Sequence, residues 1–89
     1  MNQRKVEIAP HVHFAQVEQS YVLMDLKRGI YLGLDAVASH IWQSLSEHGD
    51  MIRAAEDLCR DYEVDREQAV ADIESWVAEL AGKGLVVLR

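Results

Sequence analysis

One cysteine, one proline and five glycines in 89 residues are few, and each scarcity removes a class of protein. A lone Cys59 closes no internal disulfide, and its place on an apolar helical face reads as a small buried hydrophobe. The glycines do not gather into a phosphate-cradling loop, since Gly29 and Gly33 flank a strand and neither opens a helix. No apolar run approaches the roughly 18 residues of a membrane span, so no membrane partner is expected. The start, MNQRKVEIAPH, is basic but has no apolar core; no signal peptide is expected, and the chain is read as cytoplasmic. Cations are outnumbered, nine Lys and Arg against fifteen Asp and Glu, for a formal charge of −6, and they look dispersed along the chain. Phosphate backbones repel such a domain, so no nucleic-acid partner is expected.

What is present is a hydrophobic content of 49%, enough for one folded domain over residues 1–89. The stretch from Asp25 to Leu45 organises it. Asp25-Leu26-Lys27-Arg28-Gly29 has turn chemistry, with charges at the tip and a glycine free to take positive φ. Ile30 to Leu34 follows as an uncharged strand, and Asp35 can cap a helix whose Ala38, Ile41, Trp42 and Leu45 share one face.

Upstream, Val6-Glu7-Ile8 is a short extended piece in an otherwise irregular start (residues 1–10), stopped by Pro10. Val12–Glu18 reads as a first full strand, Gln19-Ser20 as a reversal, and Tyr21–Leu26 as a strand apolar on both faces and therefore central. A three-stranded antiparallel meander is the simplest arrangement. Downstream, the first helix runs from about Ala36 to Glu47 and stops at Gly49. Asp50 starts a second with an apolar stripe of Ile52, Ala55, Leu58, Cys59 and Tyr62. Asp65-Arg66-Glu67-Gln68, a capping-box-like start, opens a third that presents Ala69, Ile73, Trp76, Val77 and Leu80. Leu85–Leu88 is a closing apolar tail. The fold class is α+β: a three-stranded antiparallel sheet followed by three helices, winged helix-turn-helix-like.

The chemistry-bearing residues do not assemble into a catalytic pattern. His11-x-His13 has no second ligand pair at a metal-binding spacing, so no metal and no cofactor are implied. The carboxylates sit at caps or on solvent faces, and no Gly-x-Ser-x-Gly elbow exists; the chain is not read as an enzyme. A winged helix would read DNA with its last helix, yet that helix exposes Glu67, Asp72, Glu74 and Glu79 against Arg66 and Lys83, the wrong sign.

The strand Ile30–Leu34 remains. As the outer strand of a meander it offers unpaired N–H and C=O groups with nothing in its sequence to blunt them. Either the tail Leu85–Leu88 covers it, or it receives a strand from another chain. Each ladder hydrogen bond nets about 1 kcal/mol while ordering a peptide residue costs about 1–2, so backbone pairing alone breaks even at best. A receptor must also bury two or three apolar side chains at roughly 1.5–3 kcal/mol each. Val70, Ile73 and Val77 of the last helix could form that wall, with Glu74 beside them for a basic residue.

The run Val22-Leu23-Met24-Asp25-Leu26, then Gly29, Tyr31, Leu34, Ile41-Trp42 and Leu45, followed by Ile52, Ala55 and Leu58, resembles the PqqD-like proteins. These are leader-recognition domains for ribosomally made, modified peptides. Ala9-Pro10-His11-Val12-His13, the stand-alone length and the Asp25–Gly29 turn look most like the leader-binding protein of lasso peptide pathways. The resemblance implies that a precursor's leader, carrying a Tyr-x-x-Pro element, adds as a strand in the groove between the third strand and the third helix. The positions are Ile30, Tyr31, Leu32 and Gly33 on the strand; Val70, Ile73, Glu74 and Val77 on the helix follow from spacing. It implies hand-over to a leader peptidase, and then a cyclase. Two other readings stay open: a leader-binding subunit serving a radical enzyme, as in pyrroloquinoline quinone biosynthesis, and an acidic winged-helix module that dimerises through the same edge.

Overall fold

A computed structural model describes residues 5–89; the irregular start expected for residues 1–4 lies outside them. The order is β1 (Val6–Ile8), β2 (Val12–Val17), β3 (Ser20–Asp25), β4 (Ile30–Gly33), α1 (Ala36–His48), α2 (Met51–Asp61), α3 (Arg66–Gly82) and β5 (Val86–Leu88). The strands β2-β3-β4 form an antiparallel meander with β3 central, so the α+β expectation of one three-stranded sheet and three helices holds.

Local chemistry accounts for the boundaries. The β2–β3 reversal lies one residue earlier than expected: Val17 pairs with Ser20, leaving Glu18 and Gln19 at the tip with Glu18 at φ +59°. Asp35 caps α1 by accepting from Ala38 N–H at 2.8 Å. Gly49 ends it at φ +68°, its N–H donating to Leu45 O at 2.8 Å. Asp50 at once caps α2 by accepting from Ile52 N–H at 2.9 Å. Asp65 accepts from Gln68 N–H at 3.3 Å, but the Gln68 side chain donates to Asp72 at 2.8 Å, so only half of the capping box forms.

The core gathers on Trp42, fully buried, with Leu23, Ile73, Val77 and Leu80 about it. Trp76 is only partly buried against that core, and so is Cys59. The α2 stripe is turned from its expected position, with Ala54, Ala55 and Leu58 buried and Ile52 36% exposed. Because α2 packs on both α1 and α3, its small residues take the buried arc.

The tail settles the question of the open strand. β5 does not cover β4; it pairs antiparallel with β1, Val6 opposite Leu88 and Ile8 opposite Val86. Ala9 N–H donates to Leu85 O at 3.1 Å and Arg89 Nε to Glu7 Oε1 at 2.6 Å, which close this two-stranded clasp. Among the described residues, β4 therefore has β3 on one side and no strand on the other.

Candidate functional site

The site begins with the turn that launches β4. Asp25 Oδ1 accepts from Lys27 N–H at 3.0 Å and Arg28 N–H at 3.1 Å, which reverses the chain locally. Gly29 completes the reversal at φ +71°, donating to Asp25 O at 2.8 Å. Arg28 is thereby thrown toward the end of α3, where its Nη1 donates to Lys83 O at 2.7 Å.

The free edge of β4 can be assigned atom by atom. Leu34 N–H donates to Tyr21 O at 2.9 Å, so the pairs in phase with it, Leu32 with Leu23 and Ile30 with Asp25, exchange the ladder bonds with β3. By alternation, the N–H and C=O groups of Tyr31 and Gly33 face away from β3, into the open. Side chains alternate too. Ile30 (52% exposed) and half-buried Leu32 share the inner face with Leu23 and Asp25, while Tyr31, 74% exposed, stands on the outer face opposite Met24.

Beside this edge lies a cleft of about 300 Å³, lined by Leu23, Asp25, Arg28, Ile30, Tyr31, Leu32, Lys83 and Leu85. Its inner wall is aliphatic, its floor carries the buried Asp25, and its rim carries two cations. The cations are thus less dispersed than the sequence implies: the Asp25–Gly29 turn and the end of α3 bring Arg28 and Lys83 to one spot.

The wall expected on α3 is distributed differently. Ile73 and Val77 are fully buried in the core and offer no surface of their own. Val70, half-buried, and Glu74, exposed, line a separate shallow depression with Ile52, Arg66, Glu67 and Ala71, and it shares no residue with the cleft at β4. Facing β4 in the cleft is the chain that leaves α3, Lys83 and Leu85. Sequence reasoning singled out neither Leu85 nor Arg28 for the site. No periodicity links a hairpin turn to a helix end 55 residues later.

A polar patch lies apart from this cleft, between α1 and α2. Ser44 Oγ donates to Asp57 Oδ2 at 2.8 Å, and Arg60 and Arg53 approach the same carboxylate at 2.6 and 3.8 Å. The Ser44 hydrogen bond has the largest effect on the Asp57 carboxyl; burial, the next largest, opposes it, and the Arg60 and Arg53 charges then help to hold it below its ordinary 3.8. His40 meets Asp61 at 2.6 Å nearby. Among the described residues no group of three or more His, Cys, Asp or Glu is arranged to hold a metal ion, and no helix is long and apolar enough to cross a membrane.

Comparison with known proteins agrees with this fold. The family model of PqqD, coenzyme PQQ synthesis protein D, matches residues 20–86. No curated protein matches. Two solved structures are similar over nearly the whole chain. One, TbiB1 in complex with the TbiA(beta) leader peptide, has a TM-score of 0.85 and 35% identity over 90% of this chain and 93% of its own. The other, lasso peptide synthetase B1 complexed with the leader peptide, has a TM-score of 0.84 and 30% identity over 93% of this chain and 98% of its own.

Proposed function

Because the chain belongs to the PqqD family, we propose that it binds the leader of a ribosomally made precursor peptide, of the lasso class, by strand addition to β4. The observation that carries this reading is the open edge itself: Tyr31 and Gly33 present free backbone groups beside an aliphatic cleft, while the apolar tail is held away by β1. A strand laid there gains ladder bonds at about 1 kcal/mol each. It also lowers one side chain in two toward the cleft, which supplies the apolar burial that backbone pairing lacks. Both similar structures hold a leader peptide, which supports the same reading.

Ile30, Tyr31, Leu32 and Gly33 make the pairing strand in this proposal. Val70 and Glu74 provide a further contact where the peptide runs past the cleft, and Ile73 and Val77 back that face from the core. The chain acts as an adaptor and not a catalyst: it holds the precursor in the cytoplasm for a separate leader peptidase, and then a cyclase. The family's description in terms of coenzyme PQQ synthesis favours a second reading, presentation to a radical enzyme that modifies the peptide. Reconstitution of the precursor with each enzyme class separates the two.

Backbone amide NMR of the chain, titrated with the TbiA(beta) leader peptide and with a synthetic Tyr-x-x-Pro leader, tests the binding. Shifts concentrated on Ile30–Gly33 and Lys83–Leu85 are expected. Shifts confined to other surfaces would move the site. No shift with either peptide at millimolar concentration, together with a concentration-dependent dimer, would replace the reading by self-pairing of the β4 edge.

A further inference from the structure

The sheet has a second open edge, at the end away from β4. Leu26 N–H donates to His11 O at 3.0 Å, so the pairs in phase with it, His13 with Met24, Ala15 with Val22 and Val17 with Ser20, exchange the bonds between β2 and β3. By alternation the N–H and C=O groups of Phe14 and Gln16 face outward, and among the described residues no strand lies beyond them. Edge strands are commonly blunted by charge, proline or a bulge. β2 carries no Asp, Glu, Lys, Arg or Pro in a chain that is 27% charged, and it pairs one to one with β3 without a bulge. Apolar side chains stay uncovered along it. Val17 is 56% exposed, and Phe14, set edge-on against the buried Trp42 with ring centres 5.5 Å apart, is 38% exposed.

We propose that a second copy of this chain pairs with β2, antiparallel about a two-fold axis at Ala15, so that two three-stranded sheets join into one. In that register Phe14 lies opposite the partner's Gln16 on both sides of the axis, and each pair exchanges N–H for C=O, which uses every outward backbone group of the two residues. Ala15 meets the partner's Ala15 at the closely spaced position, where Cα atoms approach to about 4.5 Å and a methyl group fits. Val17 lies across from the partner's His13 on the outer face, and no like charges oppose each other along the strand. A register centred on Phe14 would set Gln16 against Val12, whose N–H is already donated to Ala9 O at 3.0 Å. A free peptide is the poorer occupant: it must be ordered residue by residue, while β2 of a second copy is already held extended by its own β3. The cleft beside β4 takes none of its lining from β2, so nothing in that cleft helps a peptide to choose this edge. Two short edges bury less than the roughly 1,200 Å² of a standard stable interface, and each copy carries a charge of −6, so the dimer is weak and exchanges. β4 stays open in it, one free edge at each end of the joined sheet.

Sedimentation equilibrium of the full chain between about 10 μM and about 1 mM should show a reversible monomer–dimer equilibrium. In an amide NMR dilution series over the same range, the Phe14 and Gln16 resonances should move while those of Tyr31 and Gly33 stay. Ala15 is exposed, so Ala15→Lys and Ala15→Glu leave the monomer intact, which urea denaturation checks. Each alone sets like charges against each other at the axis and should weaken the dimer at least about tenfold. An equal mixture of the two sets opposite charges there and should restore it. A chain that stays monomeric throughout overturns the proposal, and so do variants that dimerise like wild type or a mixture that fails to recover. Concentration-dependent shifts at Tyr31 and Gly33, or a dimer that dissolves when the TbiA(beta) leader peptide is added, would assign the contact to β4 and overturn it equally.

Discussion

Replacing Ile30 by alanine and, separately, Tyr31 by alanine sets two neighbours on one strand against each other. Both are among the most exposed apolar residues of the chain, at 52% and 74%, and exposure alone makes Tyr31 the larger loss. The alternation of β4 reverses that order. Both border the cleft, but Ile30 shares its face with Leu23 and Asp25, whereas the Tyr31 side chain stands on the opposite face of the sheet. A peptide strand at the edge covers the exposed half of Ile30. Half of the roughly 1.5–3 kcal/mol for full burial of such a side chain is about 1 kcal/mol, so Ile30→Ala should weaken leader binding about fivefold. Tyr31 contributes its N–H and C=O to the pairing, and alanine keeps both; Tyr31→Ala should change affinity less than about twofold. Titration calorimetry with the TbiA(beta) leader peptide reads both variants, and urea denaturation establishes that each is folded under the same conditions. A Tyr31→Ala loss larger than the Ile30→Ala loss would place the peptide on the outer face and refute the edge geometry.

Gly33→Ala should stabilise the free chain by about 0.4–1 kcal/mol and leave peptide affinity unchanged, because an added Cβ meets nothing within 4 Å and the backbone is not left-handed there. Chemical denaturation measures the first effect and the calorimetric titration the second. Gly49→Ala should cost more than about 2 kcal/mol: φ is +68°, and a Cβ would lie 2.9 Å from Val6 O, so β1 must shift as well. A loss below about 1 kcal/mol in urea would show that β1 yields freely. Ser44→Ala removes the largest influence on Asp57 and should raise its carboxyl toward 3.8, read by carboxyl-carbon NMR titration. The folded Asp57 is depressed, so its stabilisation is complete above the unfolded value near pH ~4 and drains as pH falls through the lowered one. The stability gap between wild type and Ser44→Ala should therefore be open at neutral pH and narrow in acid.

Much of this molecule is legible residue by residue. The turn at Asp25–Gly29, the caps at Asp35, Asp50 and Asp65, the stop at Gly49 and the central place of β3 each depend on groups a few residues apart. A carboxylate three residues from an amide finds it in nearly any fold, and a strand apolar on both faces has only the middle of a sheet to occupy. The strand Ile30–Gly33 was legible for the same reason, since it follows a turn that its own residues make.

Other features needed the packed chain. Whether Leu85–Leu88 covers β4 or turns away depends on its competition between two edges. β1 wins through contacts such as Arg89 to Glu7, 82 residues apart. The face of α3 is also a matter of packing: period 3.6 aligns Val70, Ile73 and Val77, but α2 and β5 decide which of them are buried, and they take Ile73 and Val77 into the core. The far wall of the cleft, Lys83 and Leu85, meets the Asp25 turn through Arg28. Helix caps and hairpin turns are short-range and survive any arrangement of the rest. An open edge is a property of what the remainder of the chain fails to cover, and that is settled only when every element has found its place.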